Sequence, residues 1–239
     1  MPSRPRTELL AAVIAAALAA QSPAGASMGV APVSLELAPG RAAGSVEVWN
    51  PGPEPVNVQV RILSWRNDGE EDSYQPSDDV GFSPPLFSLA SQGRQTVRFA
   101  WRGPPPEREL SYRMFIDQLP QPDTPGVVQL PVRMVLPLFV EPAGPGQGQL
   151  NWRLQPQGKA GEFLLVAENR GGRRVRLRDL GLLKQGAVQP IRAGLAGYVL
   201  AGQSMAWRLE LGAAPPANLS IRARSDEGDI AADLPLPRP

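Results

Sequence analysis

The chain has 239 residues, 42% hydrophobic and 20% charged, with a formal net charge of +1; that length fits one large domain or two of about 100 residues. It has no His and no Cys, which excludes Ser-His-Asp and Cys-His catalysis, CxxC redox chemistry and the usual zinc, haem or iron–sulfur sites. The balanced charge gives no footprint for nucleic acid, and Pro 28 with Gly 24 stands well above the roughly 12% of average usage, favouring short strands joined by turns.

The N-terminus reads as an export signal. Arg4 and Arg6 precede the apolar run Leu9 to Ala20, and Ala24-Gly25-Ala26 places cleavage before Ser27. The run is shorter than the roughly 20 residues of a membrane-spanning helix. Residues 1–26 are therefore expected to be a cleaved signal peptide, and without Cys the exported chain must be stabilised by burial alone.

Beyond the signal, strand follows strand. Gly44 to Asn50 alternates Val46 and Val48 with polar partners and stops at Asn50-Pro51-Gly52-Pro53. Val56 to Leu63 alternates Val56, Val58, Val60 and Ile62; Thr96 to Trp101 puts Val97 and Phe99 on one face; Tyr112, Met114 and Ile116 alternate with Arg113, Phe115 and Asp117. Period two bounded by Pro, Gly and Asn clusters predicts antiparallel β-sandwiches. The Pro/Gly run Glu141 to Gly148 cannot extend a strand and reads as an elbow. Strands then resume at Leu150–Leu154, Glu162–Glu168, Val175–Leu183, Ser204–Leu211 and Leu219–Ala223. The expected division is 27–141, a hinge at 142–148, and 149–239, each half sized for one seven-strand sandwich.

The segment Val127 to Val140, VVQLPVRMVLPLFV, differs from the others. It is far longer than the usual strand of about five or six residues. Val128, Leu130, Val132 and Met134 share one face, opposite Gln129, Pro131 and Arg133, and from Val135 the run is almost continuously apolar. Pro131 and Pro137 cannot donate to a ladder and favour a sheet edge. A long apolar edge is an aggregation hazard unless another strand pairs with it, so strand addition to a second chain and an ordinary intramolecular strand remain equal alternatives at this point.

Other features read more simply. Asn67 to Asp72, NDGEED, lacks calcium-loop spacing and is expected to be a solvated hairpin tip. Arg170 to Arg178 reads as a strand with Val175 and Leu177 inward and its arginines outward, a basic face toward a protein partner or an anionic surface and not a nucleic-acid site. Glu70-Glu71 and Asp78-Asp79 are loop neighbours, not a hydrolase pair. No pattern calls for a metal or cofactor, and none points to an enzyme.

Three segments together resemble a known family. Phe82 to Arg98, FSPPLFSLASQGRQTVR, is similar to a PPLFxLxPGxxQxVR stretch; Ser111 to Pro120, SYRMFIDQLP, to a SYRxFxxxxP strand; and Leu136 to Pro142, LPLFVEP, to the end of a donor strand entering a hinge. In order and spacing they resemble the periplasmic pilus and fimbrial assembly chaperones of the chaperone–usher pathway, in a divergent branch near that serving spore-coat-like pilins. The resemblance implies an all-β protein of two immunoglobulin-like β-sandwich domains arranged in an L. It implies a chaperone, not an enzyme, that binds pilin-type subunits lacking their G strand by donor-strand complementation and delivers them to an outer-membrane usher. Val128, Leu130, Val132 and Met134 would be the subunit-binding side chains. It further implies an interdomain ion triad at Arg98, Glu109 and Asp226. The family's two basic anchors for the subunit carboxylate fall on Ser34 and Pro137, so Arg133, Arg113 or backbone donors would replace them. The same edge would allow a free chaperone to cap itself as a homodimer. Two alternatives stand beside this reading: a secreted adhesive or structural sandwich without chaperone activity, and a carboxylate hydrolase.

Overall fold

The computed structural model describes residues 28–120, 130–184, 186–212 and 219–235. Every regular element among them is a β-strand. In the N-terminal half these are β1 (Gly29–Ala31), β2 (Leu35–Leu37), β3 (Ala43–Trp49), β4 (Val56–Asp68), β5 (Glu71–Pro76), β6 (Val80–Ser83), β7 (Leu86–Leu89), β8 (Arg94–Trp101), β9 (Leu110–Gln118) and β10 (Arg133–Val140). One sheet runs β1-β3-β8-β6; the other runs β2-β10-β9-β4-β5, with β7 also pairing β4. Successive side chains of a strand face opposite sides, so the period-two residues meet between the sheets: Val46, Val48, Val58, Val60, Val97, Phe99, Met114 and Ile116 form one buried core with Leu136 and Leu138.

This half contains ten strands, three more than the seven expected, and two of the extra breaks fall at proline. Pro32 separates β1 from β2 and Pro84-Pro85 separates β6 from β7. A residue without an N–H interrupts the ladder, and at each break the chain leaves one sheet for the other.

The second half comprises β11 (Leu150–Pro156), β12 (Glu162–Asn169), β13 (Val175–Lys184), β14 (Ala187–Val199), β15 (Ser204–Glu210), β16 (Leu219–Ser225) and β17 (Gly228–Leu234). Sheets β11-β12-β15 and β14-β13-β16-β17 enclose a second core around Leu165, Leu177, Leu180, Val199 and Ile221. Both halves are immunoglobulin-like sandwiches. Each ties its turns with one fully buried asparagine. Asn50 Nδ2 donates to the Glu54 and Ala90 carbonyls at 2.7 and 3.1 Å. Asn169 Nδ2 donates to those of Arg173 and Val199 at 2.7 and 2.9 Å.

A third, small cluster joins the halves: Trp65 from β4, Phe139 from β10 and Leu200 after β14, with Tyr198 packed against them. The hairpin tip between β4 and β5 is not merely solvated. Asn67 N–H donates to Gln203 Oε1 at 2.7 Å, Leu200 N–H to Asn67 Oδ1 at 2.9 Å, and Ala206 N–H to the Gly69 carbonyl at 2.9 Å. The Arg208 guanidinium grips Glu70 with two bonds of 2.5 and 2.8 Å. β4 extends to Asp68, beyond the alternation that ends at Leu63, because Leu63 to Asp68 pair with β5, and the tip of that hairpin meets the second sandwich at Gly69 and Met205.

Candidate functional site

β10 lies between β9 and β2, but the two neighbours cover different lengths of it. β9 opposes Arg133 through Val140; β2 runs parallel only to Leu138, Phe139 and Val140. Gln118 N–H donates to the Val132 carbonyl at 2.9 Å, which fixes the alternation of an antiparallel pair. Even-numbered residues of β10 direct their N–H and C=O toward β9, and odd-numbered ones direct theirs outward. At Glu141 the outward N–H meets the Leu37 carbonyl at 2.9 Å. Ahead of Leu138 the outward edge has no strand beside it among the described residues.

Side chains grade along the same segment. Leu136 to Val140 are buried, Val132 and Met134 pack partly against the first core, and Leu130 is 76% exposed. The expected strand 127–140 thus appears as eight residues of β10 preceded by Leu130 to Val132 outside regular structure; Val128 lies outside the described residues. Pro137 sits where β10 directs a residue outward, so the ladder to β9 loses no donor to it.

The face of this sheet turned away from the core carries the charged groups. Asp117 on β9 is paired with Arg133 on β10 and with Arg61 on β4, the latter at 2.7 Å. Both guanidiniums also lie near the Phe115 ring, at 5.4 and 5.8 Å from its centroid. Burial raises the Asp117 carboxyl, but hydrogen bonds and charge from Arg133 and Arg61 outweigh it and hold the group below its usual value. Nearer the elbow, Arg113 lies directly opposite Pro137. Its guanidinium stacks on Trp65 at 3.6 Å, its Nε has no hydrogen-bond partner, and burial pulls its pKa down. Of the two arginines expected as anchors, Arg133 shares the Asp117 carboxylate with Arg61, and Arg113, beside Tyr74 and Asp72, keeps an unbonded Nε. Ser34 lies immediately before β2.

The expected triad of Arg98, Glu109 and Asp226 is not brought together. Arg98 is on the exposed face of β8, opposite Ser45, and Asp226 pairs with Arg176 and Arg178 inside the second sandwich. Glu109 does sit between the halves, but with different partners. Its side chain is wholly buried, ion-paired to Arg174, with Arg173 at 3.8 Å, and it accepts the Arg174 N–H at 3.0 Å. Arg174 also pairs with Glu36 and stacks on Phe139 at 3.6 Å; Arg173 bonds Glu141 at 2.6 Å. Burial pushes the Glu109 carboxyl up, against the pull of Arg174 and Arg173. The stretch Arg170 to Arg178 is therefore not a free basic face. Val175 and Leu177 point inward as read, but Arg173 and Arg174 reach across the elbow, which strand alternation alone could not reveal.

An all-β protein of two sandwiches, with one strand half-paired at the rim of the first, is the class these features define. Residues 27–146 match the PapD N-terminal domain of the pili and flagellar-assembly chaperones, and the chain belongs to that family. No curated protein sequence matches it. Solved structures similar to it over most of its length include the archaic chaperone–usher CsuC–CsuE chaperone–tip adhesion subunit complex of Acinetobacter baumannii (TM-score 0.69, 21% identity, 89% of this chain and 100% of that one). The E. coli chaperone DraB aligns with TM-score 0.59 at 22% identity, over 87% of this chain and 96% of that one. The SafA pilin–SafB chaperone complex of Salmonella enterica gives TM-score 0.60 at 19% identity over the same shares.

Proposed function

We propose that this protein is a periplasmic chaperone that holds pilin-type subunits by donor-strand complementation and passes them to an outer-membrane usher, after export on the 1–26 signal. The observation that carries this reading is the outward edge of β10 ahead of Leu138, with Leu130 exposed beside it. A subunit lacking its last strand would pair with that edge through main-chain hydrogen bonds. Val128, Leu130, Val132 and Met134 would complete its core, each contributing about 1.5–3 kcal/mol when fully buried; ordering and association costs offset much of that sum and leave a complex that can be exchanged.

Arg113 is the preferred anchor for the subunit's terminal carboxylate. It is the cross-strand partner of Pro137, the position at which the family carries a basic residue, so the cation would come from the next strand. Its aromatic seat on Trp65 supports that role by holding the guanidinium in place; an Arg–carboxylate pair shielded from water is a strong one. Without a subunit, the same edge would allow two copies to cap one another.

The test is co-expression with co-secreted β-rich subunits and capture from the periplasm. Wild type should bring down a stoichiometric partner, Leu130→Asp with Val132→Asp should not, and Arg113→Met should retain less. Equal capture by the edge variant would leave an adhesive or structural sandwich as the better reading.

A further inference from the structure

Ahead of Leu138, β10 is attached on one side only, and the question is what holds it in register there. The hydrogen-bond ladder alone cannot: a two-stranded attachment with one open edge slips easily unless side chains specify the pairing. Arg133 and Asp117 are directly opposite and form a non-hydrogen-bonded pair, where side chains approach most closely. Asp117 is 7% exposed, and its second oxygen is taken by Arg61 of β4 at 2.7 Å. Three adjacent strands are thus cross-linked by one carboxylate, and Phe115 lies under both guanidiniums. A slip by one residue would move Arg133 to the core face and leave a mostly buried Asp117 with half its partners.

We propose that Asp117 is a positioning residue for the donor strand: by pairing Arg133 on one side and Arg61 on the other, it fixes the register in which β10 presents its open edge. The inference rests on the strand-donation reading but concerns the free chain. Arg133 then serves the strand's placement and not the client's carboxylate, which separates its role from that of Arg113.

The test is amide hydrogen exchange of the full exported chain. Met134 is the informative amide, since its N–H faces β9 next to the cluster; Leu138, held between β9 and β2, is the internal control. Asp117→Asn should speed exchange at Met134 about tenfold or more while leaving Leu138 within about twofold. Arg133→Met should reproduce the effect, and the double variant should be no worse than either single, as expected for groups acting through one contact. Unchanged exchange at Met134, or an equal rise at Met134 and Leu138, would overturn the proposal, the second by showing that Asp117 supports the fold as a whole. Asp117→Glu should restore Met134 protection at least in part; no recovery would also count against it. Strand donation itself is judged separately by Leu130→Asp alone, at an exposed position outside the cluster, so either idea can fail without the other.

Discussion

Arg174→Met is the most informative perturbation of the elbow. Glu109 keeps a fully buried carboxylate whose main partner would vanish, and removing one member of a buried pair costs about 3–5 kcal/mol. Arg173 at 3.8 Å remains as a weaker partner, which places the expectation at the low end, about 3 kcal/mol, or about 6–12 °C in Tm for a protein of this size. Methionine keeps most of the packing over Phe139, so the loss reports on charge. The double variant Glu109→Met, Arg174→Met should be less destabilised than the single, by about 2 kcal/mol. It removes the stranded charge and leaves mainly the Arg174 N–H without its acceptor, a cost of about 1 kcal/mol. The raised Glu109 pKa points the same way: its charged form fares worse folded than unfolded. Such a group contributes stability that is full below 4.5 and is lost as pH rises through the folded value, so the wild type should lose ground to the double variant above pH 4.5. Thermal melts followed by tryptophan fluorescence, with Trp65 in the elbow, read all three. A double variant melting at or below Arg174→Met would refute the reasoning.

Asp117 carries the opposite sign. Its folded pKa lies below 3.8, so its contribution is full above 3.8 and disappears as pH falls through the folded value; acid melts of wild type and Asp117→Asn should converge at low pH, and a gap that widens there would contradict the ion cluster. Leu177→Ala, at a fully buried position of the second core, should cost about 2–5 kcal/mol, and denaturant curves should report it through the stacked Trp152 and Trp207; a smaller loss would mean the site collapses around the gap. Leu130→Asp alone, at a position 76% exposed, should change stability by no more than about 0.5 kcal/mol, and a larger drop in Tm would show that Leu130 belongs to the protein's own core.

The alternating strands were legible because their apolar residues repeat every second position and have one place to go. Val56, Val58, Val60 and Ile62, like Tyr112, Met114 and Ile116, are all buried as read. β14 left no such trace: Pro190, Gly194 and Gly197 interrupt it, β13 meets it through register shifts, and most of its length is exposed. The elbow was harder still. Glu109 and Arg174 are 65 residues apart, and nothing in either local pattern names the other. The half-pairing of β10 was hinted at by its two prolines, but only the placement of β2 against Leu138 to Val140 shows where the open edge ends.

That edge also sets how long a borrowed ladder can be. Its outward positions run Pro131, Arg133, Val135, Pro137, and the two prolines have no hydrogen to give. Between those prolines a strand laid along it finds two N–H donors, at Arg133 and Val135. Over that stretch the main-chain grip is therefore interrupted at both prolines: enough pairing to set a register, and few enough bonds between the breaks for a competing strand to displace them a few at a time.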